Sequence, residues 1–167
     1  MLDHLWAGWR STYVKSIDGA LDDDCLFCRL PDESDEDALI LERTPLAYSV
    51  LNRYPYSTGH LMITTNRHTA GLSELTPEER SQMWDLIIRA ELGLNAAMRP
   101  QGFNLGLNLG RVAGAGIPDH LHFHLVPRWL GDTNFMTSTA GTRVLPESLE
   151  DTWTNVRAAL RENRPPA

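Results

Sequence analysis

The sequence predicts a single α+β domain in which an antiparallel sheet packs with two helices. Two β-rich runs that lie close together in the chain predict neighbouring antiparallel strands, and a long amphipathic stretch follows them. Further along, a short segment carries a histidine at every second position, which is the period of a β-strand. Strands, one long helix, further strands and a final helix together describe this class.

The composition is that of an ordinary globular protein. The chain has 167 residues, of which 42% are hydrophobic and 22% charged, which suits one domain with its own core, residues 1–167. A formal net charge of −7 and a pI near 5.3 argue against nucleic acid or a membrane surface as partners, because both need basic patches. No run reaches the roughly 18 apolar residues of a membrane span, and the opening residues lack the apolar core of a signal peptide. We therefore expect a cytoplasmic protein.

The first predicted strands are the runs 46–52 and 60–65. Both are rich in β-forming residues, and the connection between them contains Pro55 and Gly59, which punctuate a turn. A further strand is expected at 103–110, where large and small side chains alternate. The Gly-rich loop that follows it leads into the histidine segment.

The two helices are predicted from capping residues and apolar spacing. Thr76 at the N-cap, Pro77 at the first helical position and Glu79 shortly after them form a capping-box pattern. Apolar residues then recur at helical spacing until the stretch 99–102 ends the helix. A second helix is predicted at about 147–162, again from apolar residues at helical spacing.

The segment 119–129 holds half of the 6 histidines of the chain. On a strand, His120, His122 and His124 share one face, while the apolar residues between them share the other. Buried imidazoles need a hydrogen-bond or metal partner, since an unsatisfied buried polar group costs about 1–3 kcal/mol. The pattern therefore indicates a functional face, and the alternative is a solvated edge strand that happens to be rich in histidine.

The cysteines, Cys25 and Cys28, form a C-x-x-C pair. They are too few for a disulfide framework, and inside a cell this spacing indicates either a metal site or a pair of buried or redox-active thiols. No βαβ pattern of the thioredoxin type surrounds them. An acidic run at 31–37, which should be a solvated loop, separates the pair from the first predicted strand.

Several motifs together resemble the histidine triad (HIT) superfamily of nucleotide hydrolases and transferases. They are, in chain order, LWAGWRSTYV (5–14), CLFC (25–28), LNRYPYSTGHLMITTNRH (51–68), GFNLGLNLG (102–110), HLHFHLV (120–126) and PRWLGDTNFM (127–136). The alternating histidines fit the family's signature, and CLFC resembles the zinc-binding N-terminus of many members. The first and last motifs are similar to the branch of diadenosine tetraphosphate phosphorylases and related hydrolases.

The resemblance implies the HIT fold, an antiparallel five-stranded sheet with two helices, in a homodimer whose protomers form a larger continuous sheet. It also implies a zinc-binding N-terminal segment at about residues 5–30. The implied substrate is a small-molecule nucleotide. The expected activity is hydrolysis or nucleotidyl transfer on a dinucleoside polyphosphate such as diadenosine tetraphosphate, cleaved at the α-phosphate through a nucleotidyl-histidine.

The resemblance also implies roles for four histidines. His122 is the expected nucleophile, and His124 is expected to donate to a phosphoryl oxygen or to help the leaving polyphosphate depart. The backbone carbonyl of His120 is expected to fix the tautomer of His122 by accepting from its Nδ1. His60 matches the Gly-His that supports the triad from a neighbouring strand, and the alternative is a core histidine satisfied by a carbonyl.

The expected cofactor is structural Zn²⁺, which prefers four sulfur and nitrogen ligands. By resemblance its ligands are Cys25, Cys28, His68 and His120. For His68 alone, the alternative is an ordinary loop histidine.

The expected nucleotide contacts are Asn52 to the ribose hydroxyls and Asn108 to a phosphate oxygen. The Gly-rich loop, with Gly114 and Gly116, offers backbone N–H groups that can cradle phosphate. Both asparagines are also acceptable as turn or strand-end residues.

The sequence leaves the acceptor and the leaving group open. Phosphorylases of this branch often carry a hydroxyl residue in the Gly-rich loop, and AGAGIPD (113–119) has none, so water and inorganic phosphate are both candidates for the acceptor. A nucleoside phosphoramidate hydrolase of the Hint type is an alternative enzyme. A zinc-stabilised nucleotide-binding module with little turnover is an alternative of another class, although it would have no need of the nucleophile His122.

Overall fold

The computed structural model describes residues 25–132 and 146–163. The motif at 5–14, most of the predicted zinc-binding segment 5–30 and the end of the motif at 127–136 lie outside the described residues. Within the described ranges, no helix is both long enough and apolar enough to cross a membrane.

The centre of the fold is a five-stranded sheet in which every neighbouring pair of strands is antiparallel, as predicted. Its strands are β1 (Ile40–Arg43), β2 (Ala47–Leu51), β3 (Leu61–Thr65), β4 (Gly102–Leu107) and β5 (His122–Arg128). They lie in the order β1-β2-β3-β5-β4, so β5 is inside the sheet and β4 is at its edge. The alternative of a solvated edge strand for the histidine segment is therefore wrong, since β3 and β4 pair with both sides of β5.

The short strand β1 is the strand that the sequence patterns missed. It has 4 residues, and its pairing with β2 shifts in register between Ile40 and Glu42. Such an irregularity breaks the alternation of side chains by which a strand is recognised in a sequence. The residue before it, Leu39, has a left-handed backbone with a φ of 59°.

Within residues 25–132 and 146–163, three α-helices accompany the sheet: α1 (Leu26–Arg29), α2 (Pro77–Met98) and α3 (Leu149–Glu162). The two long helices match the predicted ones. The predicted capping box is complete, because the Thr76 side chain accepts from the Glu79 backbone N–H and the Glu79 side chain accepts from that of Thr76. The unpredicted helix α1 is a single turn that has Cys25 as its N-cap and contains Cys28.

The long helices pack on the sheet and on each other. α2 contacts β2, β3 and β5, while α3 contacts α2 and β1. The two helices approach closely at Gly93, where a Cβ atom would lie 2.6 Å from Leu160 Cδ2. The indole N–H of Trp153 donates to the Ile40 carbonyl over 2.9 Å, which ties α3 to the start of β1. β2 and β3, against which α2 packs, are buried along their whole length.

Candidate active site

β5 presents His122 and His124 on one face, as the alternation predicts, whereas His120 lies two residues before the strand begins. On the β3 side, Thr64 pairs with His122 and Met62 pairs with His124. The His122 side chain is buried and that of His124 is half-buried. On the β4 side Gly106 pairs with His124, and a Cβ atom at Gly106 would meet nothing within 4 Å. The sheet therefore leaves open space next to His124.

The backbone holds the His122 imidazole in one tautomer. Its Nδ1 lies 2.7 Å from the carbonyl oxygen of His120, and because a carbonyl can only accept, Nδ1 carries the proton. Burial lowers the pKa of His122 below its ordinary value, although this hydrogen bond acts in the opposite direction. A neutral ring that is protonated on Nδ1 has its lone pair on Nε2, as a nucleophilic imidazole requires.

His124 is held in the opposite tautomer, through His60. The backbone N–H of Tyr56 donates to His60 Nδ1 over 3.1 Å, so the proton of a neutral His60 is on Nε2. His60 Nε2 lies 3.0 Å from His124 Nδ1. His124 Nδ1 therefore accepts, and the proton of a neutral His124 is on Nε2.

His60 is fully buried, and the turn between β2 and β3 surrounds it. The Tyr56 ring stacks on the His60 ring with centroids 4.6 Å apart, and the Asn52 amide nitrogen lies 3.4 Å from His60 Nδ1. The Asn52 side chain also accepts from the Tyr54 backbone N–H over 2.9 Å. The His60 ring thus accepts from N–H groups at Nδ1 and bonds to His124 through Nε2. The ribose-binding role of Asn52 stays a prediction.

The four residues predicted to bind zinc converge in the structure. The ligand atoms of Cys25, Cys28, His68 and His120 all lie within 4.8 Å of one another. Cys25 Sγ lies 3.3 Å from His120 Nδ1, and Cys28 Sγ lies 3.3 Å from His68 Nδ1. Two sulfur and two imidazole ligands at this spacing match the donor set of a closed tetrahedral zinc site.

The electrostatics of this cluster fit a bound cation. Burial lowers the pKa of His120 to about 4, so its ring is neutral. Its Nε2–H donates to the Thr65 carbonyl over 3.0 Å, which leaves the Nδ1 lone pair facing the sulfurs. Burial, reinforced by the neighbouring Cys25, raises the pKa of Cys28 to about 11. Two thiolates in this space therefore need a compensating positive charge, which a divalent metal ion supplies.

His68 reaches the cluster from the loop after β3, and this loop is tied to α2 and to β5. Arg67 donates two hydrogen bonds to the Glu79 carboxylate, over 2.9 and 2.8 Å. The Leu121 backbone N–H donates to the Thr69 carbonyl over 2.6 Å. The capping-box pattern identified Glu79, but its second partner Arg67 depends on the tertiary fold.

The Gly-rich loop between β4 and β5 is compact. Gly110 and Gly114 have positive φ values of 79° and 92°, which favour glycine. One helical turn, Arg111–Ala113, lies between them, and the Asn108 amide donates to the Gly114 carbonyl over 3.5 Å. Gly116 is half-buried. The phosphate-binding roles of Asn108, Gly114 and Gly116 stay predictions.

Two residues that the sequence reasoning missed contact the histidines directly. The Phe27 ring lies 4.8 Å from the His122 ring, measured between centroids, and Tyr56 supports His60 as described above. Phe27 is one of the two apolar residues between Cys25 and Cys28, so packing of one of them against the cluster could have been predicted. Tyr56 supports His60 through its stacked ring and through its backbone N–H, and the N–H carries no sequence signal because every residue except proline supplies one.

Comparisons with known proteins agree with this geometry. Residues 33–129 match the family model of the HIT domain. The chain is 40% identical over 157 residues to the AP-4-A phosphorylase of Mycobacterium tuberculosis, a match that covers 90% of this chain and 80% of the relative. It is 30% identical over 104 residues to an adenosine 5'-monophosphoramidase of Schizosaccharomyces pombe, which covers 62% of this chain and 74% of that protein.

A solved structure is also similar. A Zn-bound histidine triad family protein from Mycobacterium smegmatis aligns with a TM-score of 0.68 and 25% sequence identity, covering 84% of this chain and 95% of that chain.

Proposed function

Because this chain belongs to the HIT domain family, we propose that it is a nucleotidyl hydrolase or transferase that acts on a dinucleoside polyphosphate. Cleavage occurs at the α-phosphate through a nucleotidyl-histidine on His122. The observation that carries the proposal is the pair of opposite tautomers on β5. His122 has a lone pair on Nε2 while His124 has an N–H there, so one ring can attack and the other can donate.

In the first step, the Nε2 lone pair of His122 attacks the α-phosphorus, and the bond from that phosphorus to the bridging oxygen breaks. The hydrogen bond from His122 Nδ1 to the His120 carbonyl stabilises the positive charge that develops on the ring. His124 Nε2–H donates to the departing oxygen or to a phosphoryl oxygen. In the second step, an oxygen of water or inorganic phosphate attacks the same phosphorus, the P–N bond breaks with its electron pair returning to His122 Nε2, and a proton of the acceptor passes to solvent, so that neutral His122 is restored.

The remaining substrate contacts belong to residues near the histidines. Asn108 and the backbone N–H groups of Gly114 and Gly116 hold phosphate oxygens, because a glycine-rich turn can form an anion-binding concavity. Asn52 contacts the ribose hydroxyls. Its amide contact with His60 Nδ1 is long, at 3.4 Å, so a ribose hydroxyl can replace it at little cost.

The metal in this proposal is structural Zn²⁺, held by Cys25, Cys28, His68 and His120. All four ligands are protein groups, so no position is kept for a water molecule, as a catalytic zinc site would require. When bound, zinc would tie α1, the loop after β3 and the segment just before β5 together. It supplies no step of the phosphoryl transfer.

We further propose that the protein is a homodimer, joined through α2 and the edge strand β4 of each protomer. Along α2, Trp84, Ile88 and Leu92 recur at every fourth position and are 54%, 45% and 45% exposed. On β4, Leu105 is 43% exposed. Exposed large apolar side chains favour a protein interface, and pairing two β4 edges about a two-fold axis makes one larger sheet.

The proposed compartment is the cytoplasm, and the proposed unit is one domain over residues 1–167. Both cysteines are free thiols, and a C-x-x-C pair stays reduced and able to bind metal in the cytoplasm.

Incubation with diadenosine tetraphosphate, with and without inorganic phosphate, tests the proposed reaction. ATP plus AMP identifies water as the acceptor, and ATP plus ADP identifies phosphate. The 40% identity to an AP-4-A phosphorylase favours phosphate, whereas the absence of a hydroxyl residue at 113–119 favours water. If the protein cleaves neither diadenosine tetraphosphate nor diadenosine triphosphate, the proposal is overturned.

A second candidate is hydrolysis of a nucleoside phosphoramidate, supported by the 30% identity to an adenosine 5'-monophosphoramidase. The same intermediate on His122 would form, with an amine as the leaving group. The two candidates are separated by kcat/KM on adenosine phosphoramidate and on diadenosine tetraphosphate. We expect diadenosine tetraphosphate to give the higher kcat/KM.

A further inference from the structure

Phe27 lies between the two cysteines of the C-x-x-C pair, and its ring packs against the proposed nucleophile. The ring centroids of Phe27 and His122 are 4.8 Å apart, with 39° between the ring planes. Those of Phe27 and His120 are 5.4 Å apart, in an edge-on arrangement. Phe27 is 1% exposed, so its ring excludes water from this side of the His122 imidazole.

Contacts on both sides of Phe27 fix its position. Cys25 and Cys28, which flank it in the chain, belong to the metal-ligand cluster. The Phe27 carbonyl accepts a hydrogen bond from the Tyr48 hydroxyl over 2.6 Å, and Tyr48 is fully buried on β2. The metal-ligand cluster and the sheet therefore both fix the position of Phe27.

The register of the sheet aligns this support with the nucleophile. Tyr48 pairs with Thr64 on β3, and Thr64 pairs with His122 on β5. Directly paired residues share one face of a sheet, so Tyr48, Thr64 and His122 form a row across it. The Phe27 ring lies over this row, because it contacts His122 while its carbonyl accepts from Tyr48.

His122 needs a second constraint besides its hydrogen bond. The bond from Nδ1 to the His120 carbonyl fixes the tautomer and one end of the ring. One hydrogen bond does not fix the plane of an imidazole, whose terminal torsion has a broad minimum. Packing against the Phe27 ring supplies this constraint, because rotation of the imidazole would bring it into the phenyl ring.

We propose that Phe27 is a positioning residue, and that the C-x-x-C turn sets the orientation of the His122 ring through it. The inference rests on the proposed function, since it takes His122 as the nucleophile. Both constraints on the nucleophile then come from the metal-ligand cluster: the carbonyl comes from the ligand His120, and the phenyl ring comes from the residue between two ligands.

The first test is the substitution Phe27→Leu, which removes the ring but keeps an apolar side chain. We expect kcat on diadenosine tetraphosphate to fall about 10- to 100-fold, because a small misplacement of a reacting group has an effect of this order. KM should stay within about threefold and the zinc content should equal that of the wild type. The matched control is Phe103→Leu, on the edge strand β4 opposite Pro127, which should keep kcat within about twofold.

A second readout does not depend on activity. In protein labelled with ¹⁵N-histidine, the hydrogen-bonded Nδ1–H of His122 should give a downfield proton signal at fixed neutral pH, in the wild type and in Phe103→Leu. In Phe27→Leu this proton should exchange faster with water, and its signal should weaken. Tyr48→Phe removes the hydrogen bond to the Phe27 carbonyl and should change the signal in the same direction, to a smaller extent. This variant replaces Phe27→Leu if the latter does not fold.

The possible outcomes separate this inference from the proposed function. An unchanged His122 signal in Phe27→Leu, with kcat within twofold of the wild type, overturns the inference. A raised KM with unchanged kcat also overturns it, because Phe27 would then serve substrate binding. If the wild type cleaves no dinucleoside polyphosphate while the His122 signal still depends on Phe27, the proposed function fails and the positioning contact stands.

Discussion

At the scale of single residues, His122 and His124 differ in what their Nδ1 atoms meet. His122 Nδ1 meets a carbonyl, whereas His124 Nδ1 meets the Nε2–H of His60. His60 in turn takes its orientation from the Tyr56 backbone N–H. Two identical side chains on one strand are thereby given different chemical roles.

Replacing His60 tests this difference. His60→Phe removes the donor to His124 Nδ1, so His124 no longer has a fixed proton on Nε2. We expect kcat on diadenosine tetraphosphate to fall on the order of 100-fold, with KM little changed. The control Tyr56→Phe keeps the backbone N–H and the stacked ring, so its kcat should stay within about threefold. A His60→Phe protein with the kcat of the wild type would contradict this assignment.

The alternation of the histidines, and so their shared face, could be predicted from the sequence because a strand has a period of two. Which nitrogen of each ring carries the proton could not be predicted from the sequence. It depends on a carbonyl and on an N–H group from the turn between β2 and β3, and the backbone offers both groups at nearly every residue. Phe27 and Tyr56 were missed for a related reason, since their contacts with the rings exist only after the fold has formed.

At the scale of elements, the start of α2 and the loop after β3 share one carboxylate. Glu79 completes the capping box with Thr76 and accepts two hydrogen bonds from Arg67. Hydrogen bonds from Arg67 hold the pKa of Glu79 below its ordinary value, despite the opposing effect of burial. The Arg67 side chain is 49% exposed, so solvent screens its charge. The charge attraction between Arg67 and Glu79 therefore stabilises the pair less than the two hydrogen bonds do.

Glu79→Ala should lower the free energy of unfolding by about 1–2 kcal/mol at neutral pH, because it removes both the cap and the partner of Arg67. Glu78→Ala, at an exposed glutamate of the same helical turn, is the matched control and should change it by less than about 0.5 kcal/mol. A carboxyl group whose pKa is lower in the folded than in the unfolded state contributes fully to the free energy of unfolding at a pH above its unfolded pKa. This contribution is lost as the pH falls through the folded pKa. The difference between the wild type and Glu79→Ala, measured by urea unfolding, should therefore shrink at acid pH. Equal effects of the two substitutions would contradict this role.

The metal cluster joins three parts of the fold: α1 with its N-cap, the loop after β3 and the segment just before β5. We expect about one zinc per chain by elemental analysis, and its loss in Cys28→Ser and His68→Ala with a lower melting temperature. His124→Ala is the matched histidine control and should keep the metal, because His124 is outside the cluster. Protein purified without chelator that contains no zinc, or a disulfide between Cys25 and Cys28 under reducing conditions, would rule out this site.

Sequence patterns predicted the long helix α2 but missed the short elements β1 and α1. α2 has a capping box and repeated apolar positions, so its start at Pro77 could be read directly. β1 has 4 residues and an irregular register, so no period was available to find it. The helical turn α1 is equally short, and its position depends on the cluster that its cysteines join.

At the scale of the whole molecule, the exposed apolar side chains of α2 predict assembly. Trp84→Lys should convert a two-fold dimer to a monomer, since it places a charge in the proposed interface. Asp85→Lys, at the next and also exposed position of the same helix, should leave the dimer intact. Static light scattering at micromolar concentration measures both. A monomer mass for the wild type would contradict the dimer.

The proposed reaction depends on a covalent bond between His122 and the nucleotide. Removing a nucleophile abolishes this route, whereas removing a hydrogen-bonding neighbour reduces the rate by about 10²–10⁴-fold. We therefore expect His122→Ala to bind nucleotide without turnover and His124→Ala to retain measurable activity.

The most direct measurement is to quench a reaction with diadenosine tetraphosphate in mid-turnover and to map the modified peptide by mass spectrometry. We predict a nucleotidyl adduct on His122 in the wild type, and its absence in His122→Ala. An adduct on another residue, or substantial turnover by His122→Ala, would contradict the role of His122 as nucleophile and favour a nucleotide-binding module or another nucleophile.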